Sequence, residues 1–520
     1  MKRIALPLLL AASTVSYAGG KPDVGVQVER LLTEQSKILF GVKKPLSSAA
    51  TEMNYVAREW ASADQRILLA KGLKAEYVTR NVALSADMIA FYPNAENYSH
   101  LMVCIELGRS GKTPAGNDGM NAAVQRVNVN TGGVETILYG MSRCDGIRTT
   151  AWGTVLVTEE TTDGRAYEII DPLTTTREWV ADRSSGDIRS AIDSTTASSK
   201  IVQRIHLPTM AWEGLEVLDS GVVYAGDELR PGSNALDTDG GAIFKFLPDS
   251  PRTDDAMIES LDQSPLAMGS TYALSVSCRE SSSSSFPQYG QGCEVGHASW
   301  VKVDPLNARS DANNRGATGY YRPEDLHLDV SYDGAGERFC WANTGREKAN
   351  NYGEINCAVD YMPVPANPSL LTHDKTGFIY LGNDVDYTVA SVNRFIEGDS
   401  RFNSYDNLAF QPTTNNLYVI EDHKYGEVIA CLPDGADRNI KSDGCIGIAS
   451  VIDPAAEPTG FIFDASGEVA YVIIQHGEQA DSLLDFTSNP VDGRTDDLIK
   501  ITGFQLKNSH YHHEVFLRKH

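Results

Sequence analysis

The chain has 520 residues, of which 45 are Lys or Arg and 69 are Asp or Glu, giving a formal net charge of -24. That balance repels polyanions, so nucleic acid and anionic membrane surfaces are excluded as partners, while divalent cations are favoured. Hydrophobic residues at 42% with charged residues at 22% describe a folded chain that can bury a large core, not a disordered polyelectrolyte.

In chain order, Lys2 and Arg3 precede an apolar run from Ile4 to Ala12, and Ser16-Tyr17-Ala18 supplies a small-x-small cleavage site. Residues 1–18 are therefore expected to be a secretory signal of the general type, without a twin-arginine pair, and the mature protein is expected in the periplasm or outside the cell. No second stretch is long and apolar enough to span a bilayer. Eight cysteines in an exported chain point to disulfides. Cys278 with Cys293, Cys340 with Cys357 and Cys431 with Cys445 are local pairs, which leaves Cys104 and Cys144 as either a fourth bridge or two free thiols.

Val26 to Val42 carries apolar residues at helical spacing and ends at Gly41, and a second helical pattern is read over Thr51 to Leu73. Residues 19–72 are thus expected to form a helical extension packed on the main domain. From Glu76 the character changes to short β-rich runs separated by Gly, Pro, Asn and Asp, with a hairpin around Asn130-Thr131-Gly132-Gly133. Strand, polar turn, strand and polar end recur in LHLDVSYDGAGERFCWANTG, NLAFQPTTNNLYVIEDH and GFIFDASGEVAYVIIQH. Antiparallel pairs repeated in this way with almost no helix between them predict an all-β fold, a β-propeller of five or six blades over residues 73–505, followed by a tail at 506–520.

The acids fall at strand ends. Glu106, Glu159-Glu160, Asp227-Glu228, Glu421-Asp422 and the polar pair Gln475-His476 end apolar runs, while Glu213, Glu324-Asp325, Asp406 and Glu457 begin them. Adjacent acids at a strand end send one carboxylate to each face. In a propeller such ends converge on the axial channel, where gathered carboxylates repel unless a cation sits among them. Solvated loop acids are the simpler reading of each one alone, and recurrence at one place in each unit argues against it. Arg322, two residues before Glu324, suits either a bidentate hold on phosphate or carboxylate or a structural salt bridge. His476 at the channel mouth is a candidate acid or base, with a satisfied structural imidazole the alternative. His510, His512 and His513 are a terminal cluster that is more simply a tail. No GxSxG elbow, P-loop or HExxH is present.

Taken together, Cys144 to Glu160, Trp212 to Phe246, Arg322 to Asp325, Tyr405 to Phe410, and EPTGFIF followed by IIQHG resemble the PhoX-type alkaline phosphatase family over about Lys71 to Gln505. The resemblance implies an exported propeller that hydrolyses phosphate monoesters at an iron and calcium cluster in its channel. It places Cys144 on the iron-binding thiolate, Glu160 on the carboxylate that follows, Glu213 on a bridging acid, Glu324 and Asp406 on calcium, Glu106 among the metal ligands and Arg322 on phosphate. Cys104 departs from the family pattern, and its bridging to Cys144 would remove the thiolate and leave an all-oxygen calcium site. The expected function is a calcium-containing, iron-calcium where the thiol is free, phosphatase acting as a monomer on small-molecule phosphate esters. The alternatives are a calcium-binding propeller that serves ligand capture or adhesion, and a calcium-dependent lactonase or esterase.

Overall fold

Six inner strands share one design: Ala86–Tyr92, Cys144–Thr149, Trp212–Val217, Pro323–Leu328, Tyr405–Phe410 and Glu457–Phe463. The structure, a computed structural model, describes residues 24–232, 240–276, 294–371, 378–381, 384–434, 444–475 and 495–506. Within it these strands stand side by side in a closed ring, each beside the next and the sixth beside the first. Every inner strand pairs outward, antiparallel, with the strand that follows it in the chain. The result is a six-bladed β-propeller, at the upper end of the expected blade count.

Blades two, three, five and six are built on four or five strands, and blade one extends to six through Glu178–Asp182 and Asp187–Arg189. Blades three and four are fused at their outer edges. Gly296–Val303 pairs on one side with Gly269–Val276 of blade three and on the other with Ala390–Glu397 of blade four, so the two read as a single nine-stranded sheet. The ring is closed across the chain ends, because Lys74–Ala83 completes blade six by pairing with Thr495–Thr502. That closure removes the open edge that an unclosed ring would present. The core lies between blades, where Trp152, Trp212, Trp300 and Trp341 are fully buried.

The predicted first helix is present at Val24–Leu39 and ends before Gly41, whose φ of +70° needs glycine. The second predicted helix is absent, which corrects the helical extension. Glu52–Asn54, Arg58–Trp60 and Ala63–Gln65 are single 3-10 turns, and Ile67–Leu69 is a strand on the edge of blade five. The Asn54 and Gln65 side chains accept from the Thr51 and Ser62 amides and so close two of these turns locally. Arg58 and Arg66, which a continuous helix would expose to water, instead reach Asp497 at 2.8 and 3.1 Å beneath the surface, and Trp60 is left 78% exposed. The buried ion pairs and the strand edge outweigh helical periodicity here. Cys340–Cys357 and Cys431–Cys445 are bridged as expected. The signal segment, Cys278, Cys293 and the tail histidines lie outside the described residues.

Candidate functional site

Each inner strand is bulged, near its start in blades one to five and three pairs in for blade six. Ala86 pairs with Ile105 but Ile89 with Val103, and the same three-against-two step occurs at Cys144/Ile147, Trp212/Leu215, Pro323/Leu326, Tyr405/Leu408 and Thr459/Ile462. A bulge re-aims the side chains that sit in it. The residue after the pair that opens the bulge is Asp87, Asp145, Glu213, Glu324 and Asp406 in blades one to five, so five blades offer one carboxylate each at equivalent positions of the channel. In blade six the equivalent residue is Gly460, where a Cβ would lie 2.4 Å from the Asp87 carbonyl oxygen, and no side chain fits. Gly146 and Gly214, next along in blades two and three, leave no room either: a Cβ on Gly214 would lie 1.9 Å from the Leu326 amide nitrogen.

The carboxylates join in three overlapping groups: Asp87, Glu106 and Asp145; Asp145, Glu160 and Glu213; Glu213, Glu324 and Asp406. In each, one oxygen per residue lies within 4.8 Å of the others, and Asp145 and Glu213 are shared between neighbours. Glu106 and Glu160 come from the ends of the second strands, where adjacent acids split as alternation requires. Glu159 turns away to the Arg183 guanidinium at 2.9 Å and the Ser142 amide at 2.7 Å, while Glu160 enters the channel. Asp227 likewise accepts from Arg309 at 2.7 Å, and Glu228 faces Arg322.

Two guanidiniums flank this arc from equivalent positions. Arg143 immediately precedes Cys144 and Arg322 immediately precedes Pro323, and both hold left-handed backbone, φ +58° and +54°. Ser85 and Ser404 repeat the conformation before blades one and five. This costly geometry in a non-glycine residue is what turns each arginine toward the mouth. Arg143 binds Glu106 and Glu160, with its Nε 2.9 Å from Glu160 Oε2. Arg322 donates to Glu228 at 2.6 Å and lies 3.1 Å from Glu324, which also accepts from Thr344.

Two cations do not balance so many acids. Burial first, then the Asp145 charge, raises Asp87 well above the usual carboxylate range. Burial and Glu106 do the same to Asp145, and burial and Asp145 to Glu213. Glu160 is pushed up to about 12 by burial, Glu106 and Asp145, and Asp406 well upward by burial and Glu324. Glu324 rises to about 8 because burial outweighs the opposing pull of Arg322. Such groups stay protonated or take up positive charge. The Oδ1 atoms of Asp87, Asp145 and Asp406 are buried with no hydrogen-bond partner among the described residues, and the donors are all oxygen, so the arc fits hard cations.

Of the residues expected from the sequence, Glu106, Glu160, Glu213, Glu324, Asp406 and Arg322 are brought together. Cys144 is corrected: it is bonded to Cys104, so its sulfur is no thiolate. His476 lies outside the described residues, although its neighbour Gln475 donates to Asp87 at 2.9 Å. Asp87, Asp145 and Arg143 escape the sequence reading. A signal for the last two exists, since Arg143-Cys144-Asp145-Gly146-Ile147 repeats the order of Arg322-Pro323-Glu324-Asp325-Leu326.

Residues 110–478 match the family model described as alkaline phosphatase PhoX. No curated protein matches the chain. Among solved structures it is similar to Pseudomonas fluorescens PhoX in complex with vanadate, a transition state analogue, with a TM-score of 0.52 and 14% identity over 88% of this chain and 98% of that one. Two further similarities are weaker. A putative oxidoreductase (glucose dehydrogenase) from Thermus thermophilus has a TM-score of 0.37 and 13% identity over 82% of this chain and 100% of that one. The Cps50 (Swd1) β-propeller domain of Myceliophteria thermophila has a TM-score of 0.38 and 10% identity over 83% and 99%. At these identities the likeness is one of fold.

Proposed function

The chain belongs to the alkaline phosphatase PhoX family, and on that premise we propose that it is an exported phosphatase hydrolysing small-molecule phosphate monoesters, with calcium held in the propeller channel. The observation that carries this reading is the pair of arginines in equivalent left-handed positions on either side of a carboxylate arc. Guanidiniums offer paired N–H groups that match phosphoryl oxygens, and carboxylates that outnumber them call for cations.

In this reading Glu160, Glu213, Glu324 and Asp406, drawn from the two carboxylate groups that have Glu213 in common, would hold calcium. Calcium, when bound, neutralises phosphoryl oxygens and developing charge in the transition state. Arg322 and Arg143 exchange their present carboxylate partners for the nonbridging oxygens of the substrate and orient the phosphoryl group for in-line attack by water. Glu228 and Thr344 keep the Arg322 head and Glu324 in place when no substrate is bound. The bond from phosphorus to the ester oxygen breaks, and the alcohol and inorganic phosphate leave through the open mouth. Calcium is preferred to an iron thiolate because Cys144 has no free thiol, and the described disulfides support an oxidising destination. The test is hydrolysis of an aryl phosphate by the exported protein. Turnover that falls in both Arg322→Ala and Glu213→Gln is expected, and variants as active as wild type would remove the assignment.

A further inference from the structure

The junction of blades one and two withdraws a thiolate and offers oxygen in its place. Cys104 and Cys144 are bonded to each other and fully buried. Asp145 follows Cys144 through the bulge, and Glu106 lies two residues after Cys104. Both meet Asp87, with one oxygen of each of the three within 4.8 Å of the others.

Three buried acceptors at this junction lack partners among the described residues: Asp87 Oδ1, Asp145 Oδ1 and Gln475 Oε1. Asp87 is 7% exposed, Asp145 1% and Gln475 0%, so water does not satisfy them from outside. Gln475 Nε2 donates to Asp87 Oδ2 at 2.9 Å and to Glu106 Oε2 at 3.2 Å, which pins two acids against each other with a neutral amide. Arg143 reaches Glu106 Oε1 and Glu160 Oε2 from the mouth, and its contacts do not extend to Asp87 or Asp145 Oδ1. Three acids gathered within 4.8 Å, two of them held by an amide, and leaving acceptors unpaired, are a set short of one positive charge.

We infer that Asp87, Glu106 and Asp145 form a third cation position, joined to the next through Asp145, and that the metal centre of this chain is built from oxygen donors alone. The donor set of three carboxylates is that of a hard divalent cation such as calcium. The disulfide has a structural role in this arrangement. It ties the second strand of blade one to the inner strand of blade two and so fixes the spacing of Glu106 and Asp145.

Crystals of the exported protein soaked in terbium, an anomalous surrogate for calcium, are expected to show a peak about 2.4 Å from Asp87 Oδ1 and Asp145 Oδ1. Peaks confined to the other two groups of acids would overturn the inference. In calorimetric titration of the chelated protein with calcium, Asp87→Asn is expected to bind one ion fewer per chain than wild type, and equal stoichiometry would contradict it. Peptide mapping without reduction is expected to find Cys104 linked to Cys144. Free thiols there, with a thiolate-to-iron(III) absorption band after iron is supplied, would refute the oxygen-only centre. None of these readouts requires turnover, so failure of the phosphatase reading is seen separately in the aryl phosphate assay.

Discussion

Replacing Glu324 by Gln is expected to stabilise the protein when calcium is chelated and destabilise it when calcium is present. Glu324 is 3% exposed, and burial lifts its carboxyl from 4.5 to about 8 in the metal-free fold. Between those values the folded chain keeps a proton that the unfolded chain has lost, so its contribution is full below about pH 4.5 and falls away as pH rises through 8. The difference is worth about 5 kcal/mol at most, and for a domain of this size Tm moves about 1 °C per kcal/mol. In chelator at pH 9, Glu324→Gln should therefore melt up to about 5 °C above wild type, and at pH 4.5 the two should coincide. If Glu324 is a calcium ligand as proposed, the order should reverse with saturating calcium, because the variant would bind the ion less tightly. Differential scanning fluorimetry across pH, with and without chelator, reads both arms. A variant that melts below wild type in chelator at pH 9 would refute the claim that the acids repel one another without a cation.

Three other outcomes follow from the geometry. Arg322→Ala should lose roughly 100- to 1,000-fold in kcat/KM for an aryl phosphate, the scale of a removed charge-stabilising donor. Gly214→Ala should abolish soluble expression, because its Cβ would meet the Leu326 backbone at 1.9 Å, whereas Gly108→Ala, with nothing within 4 Å, should be neutral. Asp497→Asn should cost about 3–5 kcal/mol in denaturant unfolding, since Arg58, Arg66 and Arg80 all converge on that one buried carboxylate.

Strand repetition made the propeller legible, because each blade repeats apolar alternation between turn residues. Six blades rather than five becomes clear only in the ring of inner strands, since the fused outer edges of blades three and four hide the boundary between them. The acids at strand ends were legible through alternation: Glu159 and Glu160 do point to opposite faces. Asp87 was not, because Ala86-Asp87-Met88-Ile89 looks like one polar residue interrupting an apolar strand, and only the bulge makes it a channel residue. Asp145 stands beside a cysteine that is itself a candidate ligand, and the partner of that cysteine is 40 residues away in the neighbouring blade. Arg58 and Arg66 look in sequence like the polar face of a helix, but their charges are matched by acids more than 380 residues further along the chain.

The most direct measurement is turnover of an aryl phosphate by exported protein that has been chelated, shown by elemental analysis to be free of iron, and resupplied with calcium alone. Activity is expected to return with calcium and to be lost again in Arg322→Ala. A folded, calcium-loaded protein without turnover would contradict the proposed function, and would reduce the kinship to one of fold.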